Sequence, residues 1–186
     1  MVEKRADARR NQETLLDAAA AAFIESGVNV PVRDIATRAG VGVGTIYRHF
    51  PTRSDLIVAV YHHQIEACAD AGPELLATSA TPHLALAAWI DLFVDFLVTK
   101  HGLAEALHSD DAAFERLHGL FLERLLPVCA RLLEAAAGAG EIRPGVGALE
   151  LMRGVGNLCI GDRGDPRYDA RRMVGFLIEG LRPPRR

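Results

Sequence analysis

The chain predicts an all-α protein of about nine helices, with a helix-turn-helix domain over residues 1–56 and a helical bundle over residues 57–186. Three observations carry that prediction. Apolar residues recur at helical spacing in almost every segment. No alternating β-branched run of useful length occurs. Glycine or proline stands where most of the periodic stretches stop.

The first helix should run from about Arg9 to Ser26, turning Leu16, Ala19, Ala20 and Phe23 inward, with Gly27 as its stop. Residues 28–32 form a link, and Pro31 precedes the second helix where its missing N–H costs little. The second helix spans about Arg33–Ala39 and the third about Val43–Phe50, ended by Pro51. Thr52 and Asp55 make a capping-box-like start, with Asp where Glu is usual, for a fourth helix reaching about Ala71. Gly72-Pro73 should break it.

Thr81-Pro82 opens a fifth helix to about Lys100, apolar on two stripes: Leu86, Ile90, Phe93, Leu97 and Trp89, Leu92, Phe96. A helix apolar over so wide an arc lies in the middle of a bundle. A short sixth helix over Gly102–His108 follows, then a seventh over about Ala112–Ala137 with Leu117, Phe121, Leu125, Val128 and Leu132 along one stripe and Pro127 as a kink point. A loop over 138–147, an eighth helix over about Ala148–Ile160 and a ninth over about Pro166–Leu181 complete the order. There is no internal repeat.

Residues 35–55 carry the functional signal. Two short helical patterns are joined by a turn at Gly40, the layout of a DNA-reading helix-turn-helix. Ile35, Ala36 and Ala39 share one face, Val41 plugs the turn, and Ile46 and Phe50 continue the apolar stripe. That leaves Val43, Gly44, Thr45, Tyr47, Arg48 and His49 outward, a set rich in donors. A helix that only covered a core would more usually place Glu, Lys and Gln there.

The run from Asn11 to Ile57 resembles the N-terminal domain of TetR-type transcriptional regulators. The likeness rests on the amphipathic first helix ending at Gly27, the helix-turn-helix, and Thr45-Ile46-Tyr47-Arg48-His49-Phe50 followed by Arg53. It implies nine helices, phosphate contacts at Thr45, Tyr47, His49 and Arg53, and a homodimer built by the last two helices. Base reading would fall to Arg33, to Val43 against a thymine methyl, and to Arg48, because arginine grips a guanine edge with two bonds. Gly42 stands where the family often has a hydroxyl-bearing cap, and Gly44 weakens the helix by about 1 kcal/mol, so the base code is poorly specified. A basic stretch, Lys4, Arg5, Arg9 and Arg10, could lie along phosphates or remain a solvated terminus.

Bulk properties narrow the class. The 186 residues are 49% apolar, with mean hydropathy +0.11, high for a soluble monomer and suggestive of a partner subunit or a pocket. Asp91 and Asp95 interrupt the Leu84–Val98 tract before it could span a bilayer. The charged N-terminus lacks a signal region, so a cytoplasmic location is expected. Cys68, Cys129 and Cys159 are odd in number and widely spaced, the pattern of reduced core residues. Residues 1–56 hold eight Lys/Arg against seven Asp/Glu, and residues 57–186 thirteen against seventeen. A mildly basic head on an acidic body fits local DNA contact.

In the body, Trp89, Phe93, Phe96 and Phe121, with His118, Asn157 and His62 as polar groups, are candidate lining for a mainly apolar small-molecule effector. A packed core would use the same aromatics. Leu151, Val155, Leu158, Val174, Leu177 and Leu181, beside Gly154, Gly156, Gly175 and Gly180, are candidates for a homodimer interface, with intrachain core as the alternative. Glu105/His108 and Glu115/His118 have the i, i+3 spacing of di-iron bundle ligands, but one pair lies on a short helix only ten residues before the other. No cofactor, metal or catalytic set is therefore expected. The leading reading is a ligand-responsive regulator, a repressor acting as a homodimer on a palindromic operator. An effector-free architectural DNA binder and a helical-bundle metalloenzyme are the alternatives.

Overall fold

The computed structural model describes the backbone of residues 2–106, 111–160 and 167–184, and side chains within 11–97, at 100, and within 118–160 and 167–184. Eight helices occur among them: α1 (Val2–Ser26), α2 (Val32–Ala39), α3 (Val43–His49), α4 (Arg53–Thr78), α5 (Pro82–Ala106), α6 (Asp111–Gly138), α7 (Ala148–Ile160) and α8 (Ala170–Glu179). The chain divides into two compact units, Met1–Gln64 with Val98–Phe114, and Ile65–Leu97 with Glu115–Arg186.

In the first unit, α1 buries Leu16, Ala19, Ala20 and Phe23 as its periodicity requires. It stops at Gly27, whose φ of 74° lies in the left-handed region and whose N–H reaches Phe23 O at 2.8 Å. Because α1 begins at Val2, Lys4, Arg5, Arg9 and Arg10 stand on this helix rather than on an arm before it; their side chains lie outside the described residues. Pro31 caps α2, and Gly40, at φ 66°, ends it while Val41 N–H returns to Ala36 O at 3.0 Å. The Thr52–Asp55 box forms as read: Asp55 Oδ2 accepts from Thr52 N–H at 2.9 Å, and Asp55 N–H donates to Thr52 Oγ1 at 3.1 Å.

Two expected breaks are corrected. α4 runs through Gly72-Pro73 to Thr78. Packing outweighs the cost of proline here: Cys68 and Ala69 are buried, and a Cβ added at Gly72 would lie 2.2 Å from Val128 Cγ1. Next to the carbonyl that Pro73 leaves without its helical donor, Cys68 O accepts the Trp89 indole N–H at 2.8 Å. The part of the predicted sixth helix up to Ala106 is the end of α5, which continues through Gly102; residues 107–110 lie outside the described residues. A lone glycine with no proline beyond it costs about 1 kcal/mol and does not by itself end a helix. α6 likewise continues through Pro127. α8 begins at Ala170, later than the expected start, where the Asp169 side chain accepts from Arg172 N–H at 2.9 Å. Residues 161–166, where the expected start fell, lie outside the described residues.

Cys68 and Cys129 are buried, and loss of solvation pushes both thiols up to about 12. They should stay protonated and resist a thiol reagent at pH 8, leaving the half-buried Cys159 to react first. Stoichiometric labelling before and after denaturation tests this; two or three thiols modified in the native protein would contradict it.

Candidate nucleic-acid interface

The buried stripe of the helix-turn-helix is Ile35, Ala36, Ile46 and Phe50, each at most 6% exposed. Fixing that stripe leaves one choice for the rest of α3. Val43, Gly44, Tyr47, Arg48 and His49 are exposed and Thr45 is half-buried. Gly42 precedes α3 with extended backbone and has no side chain to cap it, while Thr45 N–H closes the first turn on Gly42 O at 2.8 Å. Arg33 is exposed on the second residue of α2, and its carbonyl accepts from Thr37 Oγ1 at 2.9 Å. The expected DNA-facing set is thus brought onto α3 and the start of α2, with Arg53 the exception.

Arg48 is not loose. Its Nη2 donates to Thr45 Oγ1 at 3.0 Å and its Nε lies 3.4 Å from Gly44 O, so the guanidinium rests along its own helix. Arg53 departs from expectation. Rather than standing free beside the recognition helix it is half-buried, with Nε donating to Val28 O at 3.1 Å and Nη2 donating to both Val28 O and Val30 O, the latter at 2.6 Å. Sequence reasoning missed this because the acceptors are backbone carbonyls more than twenty positions away. It also missed the Arg38–Glu25 ion pair, in which Nη1 donates to Oε1 at 2.9 Å and Nη2 pairs with Oε2. The Arg38 hydrogen bond holds the Glu25 carboxyl below its ordinary range. A second tie joins His63 Nε2 and Asp17 Oδ1 at 2.6 Å.

Five of the seven candidate effector residues meet in the second unit. Trp89 stacks on Phe93 (5.8 Å, 4°), Phe93 on Phe96 and Phe121, Phe96 on Phe121 (5.5 Å, 11°), and His118 on Phe121 (5.6 Å). The rings fill one another's space. Asn157 and His62 are exposed. Among the described residues no group of three or more His, Cys, Asp or Glu could hold a metal ion; the side chains of Glu105, His108 and Glu115 lie outside them.

The candidate dimer residues fall into two groups. Leu151, Val155, Val174 and Leu181 are buried within the single chain, Leu158 and Leu177 are half-buried, and a Cβ at Gly154 would sit 3.6 Å from Leu177 Cδ2. That stripe is the internal α7–α8 packing. The outward sides carry Leu149, Ile160, Met173 and Phe176, the last 58% exposed, and open space around Gly156 and Gly175.

Known proteins agree with this architecture. Residues 15–60 match the model of bacterial regulatory proteins of the tetR family, and residues 81–183 match the C-terminal domain of SbtR-like transcriptional regulators. A TetR transcriptional regulator from Streptomyces coelicolor has a TM-score of 0.76 and 35% identity, with 92% of this chain and 98% of that one covered. A TetR regulatory protein from Mycobacterium vanbaalenii gives 0.68 and 33%, covering 96% and 99%. An HTH-type transcriptional regulator of Staphylococcus aureus is 24% identical over 122 residues, 65% of this chain; the chain spans 66% of that relative's length.

Proposed function

We propose, for a chain that belongs to the TetR family of bacterial transcriptional regulators, that it is a cytoplasmic repressor which binds a palindromic operator as a homodimer and is released by a small effector. The observation that carries the DNA reading is the outward row of α3, with Tyr47 and Val43 exposed over a stripe whose central residue, Ile46, is 1% exposed. That row sets donors and a flat aromatic where a helix that merely covers a core would more usually place Glu, Lys and Gln. Val43 offers a methyl surface to thymine, Arg33 and Arg48 offer forks for guanine, and Tyr47, Thr45 and His49 offer donors to phosphate. Releasing Arg48 from Thr45 lets one side chain read a base while the other takes a phosphate.

The effector reading draws on relatives and on the body's aromatics. A Bacillus subtilis FadR was solved with stearoyl-CoA, and a Saccharomonospora viridis protein with choline; each is about one fifth identical to this chain. Here an apolar effector would have to part the Trp89–Phe121 rings. α4, continuous from Arg53 to Thr78, belongs to both units and is the element through which occupancy would be felt. An effector shifts the operator only if it fits the non-binding conformation better. The mutual stacking of those rings also favours the second reading, a regulator without an effector, and that reading predicts no ligand-dependent change in operator affinity. The family and fold are those of regulators rather than enzymes, and we assign no catalytic activity.

The test is selection of duplexes from a random library, which should return a palindrome. Tyr47→Ala should weaken selected and random duplexes alike and leave the salt slope unchanged, because a neutral hydroxyl neutralises no phosphate. Arg33→Ala and Arg48→Ala should each cost about 1–3 kcal/mol at particular base pairs. Unchanged sequence preference in both would remove the base-reading assignment.

A further inference from the structure

We infer that Arg53 is a positioning residue, a clamp that sets where α2 presents Arg33, and not a phosphate contact. The inference rests on the DNA-binding reading above. Three donors on one edge of the guanidinium are committed: Nε and Nη2 to Val28 O, and Nη2 again to Val30 O. Those carbonyls belong to the link between α1 and α2, which contains one other internal bond, Val30 N–H to Gly27 O at 3.2 Å. The Val28 and Val30 side chains are buried, so the link's backbone is pinned from both sides, by apolar contact and by the guanidinium.

The clamp lies immediately before the reading helices. Val30 is one residue before Pro31, the cap of α2, and three before Arg33. Arg53 is itself the first residue of α4 and sits within the Thr52–Asp55 box that fixes the start of that helix. Its side chain therefore ties the start of α4 to the start of α2 inside the first unit. A cationic donor shared between two carbonyls is stronger than a neutral bond, and its planar fork has a direction that an ammonium lacks. Displacing the start of α4 would carry the link, and with it Arg33.

Salt dependence separates a clamp from a phosphate contact. Removing a phosphate contact lowers the slope of log K against log salt by about 1, whereas losing a clamp lowers affinity with the slope unchanged. Full-length Arg53→Gln and Arg53→Lys would be titrated against the duplex that the wild type selects, with amide exchange followed across residues 27–36. The clamp predicts about a tenfold loss for both variants at the wild-type slope, and faster exchange in the link. If Arg53→Gln fails to fold, Arg53→Lys decides: a lysine supplies a phosphate contact as well as arginine does but cannot reproduce the two-carbonyl fork. Arg53→Lys with wild-type affinity and unchanged exchange, or Arg53→Gln with a reduced slope, would overturn the inference. Should the wild type select no duplex, the DNA reading fails, and the exchange measurement still decides whether Arg53 pins the link.

Discussion

Trp89→Ala should remove about 3–5 kcal/mol of folding stability, the range for truncating a large aromatic inside a packed core. Trp89 is 0% exposed, stacks on Phe93 with the planes 4° apart, and spends its indole N–H on Cys68 O. Alanine leaves a void along the ring ladder and deprives that carbonyl of its donor beside Pro73, where the helix is already one bond short. Trp89→Phe keeps a stacked ring and loses the donor and part of the volume, so its cost should be nearer about 1–2 kcal/mol. For a domain stabilised by about 5–15 kcal/mol, the first change brings the second unit close to unfolding and the second does not. Urea melts followed by far-ultraviolet circular dichroism measure both; fluorescence cannot, because Trp89 is the chain's only tryptophan. Equal midpoints for Trp89→Ala and wild type would mean that the stacked rings close over the gap without cost.

The helix-turn-helix was legible because its signals are local. Gly40 ends α2 in the left-handed conformation that the turn requires, and the Ile46–Phe50 spacing fixes which side of α3 faces out. The capping box at Thr52 spans three residues and was visible for the same reason. What could not be read depends on residues far apart in the chain. Gly72-Pro73 looked like a break because Val128, which closes against Gly72, is 56 positions away. Arg53 looked like a free cation because its acceptors are main-chain atoms that carry no sequence signal. Trp89, Phe93, Phe96 and Phe121 stand on apolar stripes of two helices, and periodicity cannot tell rings that stack on one another from rings that line a hollow.

The α7–α8 pair illustrates a similar limit and leads to the second large effect. A helical apolar stripe marks the buried side of a helix without saying whether the chain or a partner buries it. Here Val155 and Val174, 0% and 2% exposed, are already covered by the chain itself. A charge at Val174 should therefore unfold the second unit rather than separate subunits cleanly. The outward sides differ: Phe176 and Met173 on α8, and Leu149 and Ile160 on α7, expose large apolar side chains. Phe176 even draws the Arg172 guanidinium over its ring at 5.4 Å. If a second copy covers this side about a two-fold axis, every residue on it counts twice. Phe176→Glu would then place two like charges, one from each copy, in the proposed interface while leaving the chain's own core intact. Sedimentation should shift from dimer to monomer with helicity unchanged. Operator affinity should fall to that for random duplex, a loss of about 10³-fold or more, because a monomer offers one recognition helix where the palindrome needs two a helical turn or more apart. A Phe176→Glu protein that stays dimeric and still binds its operator would move the subunit interface away from α7 and α8.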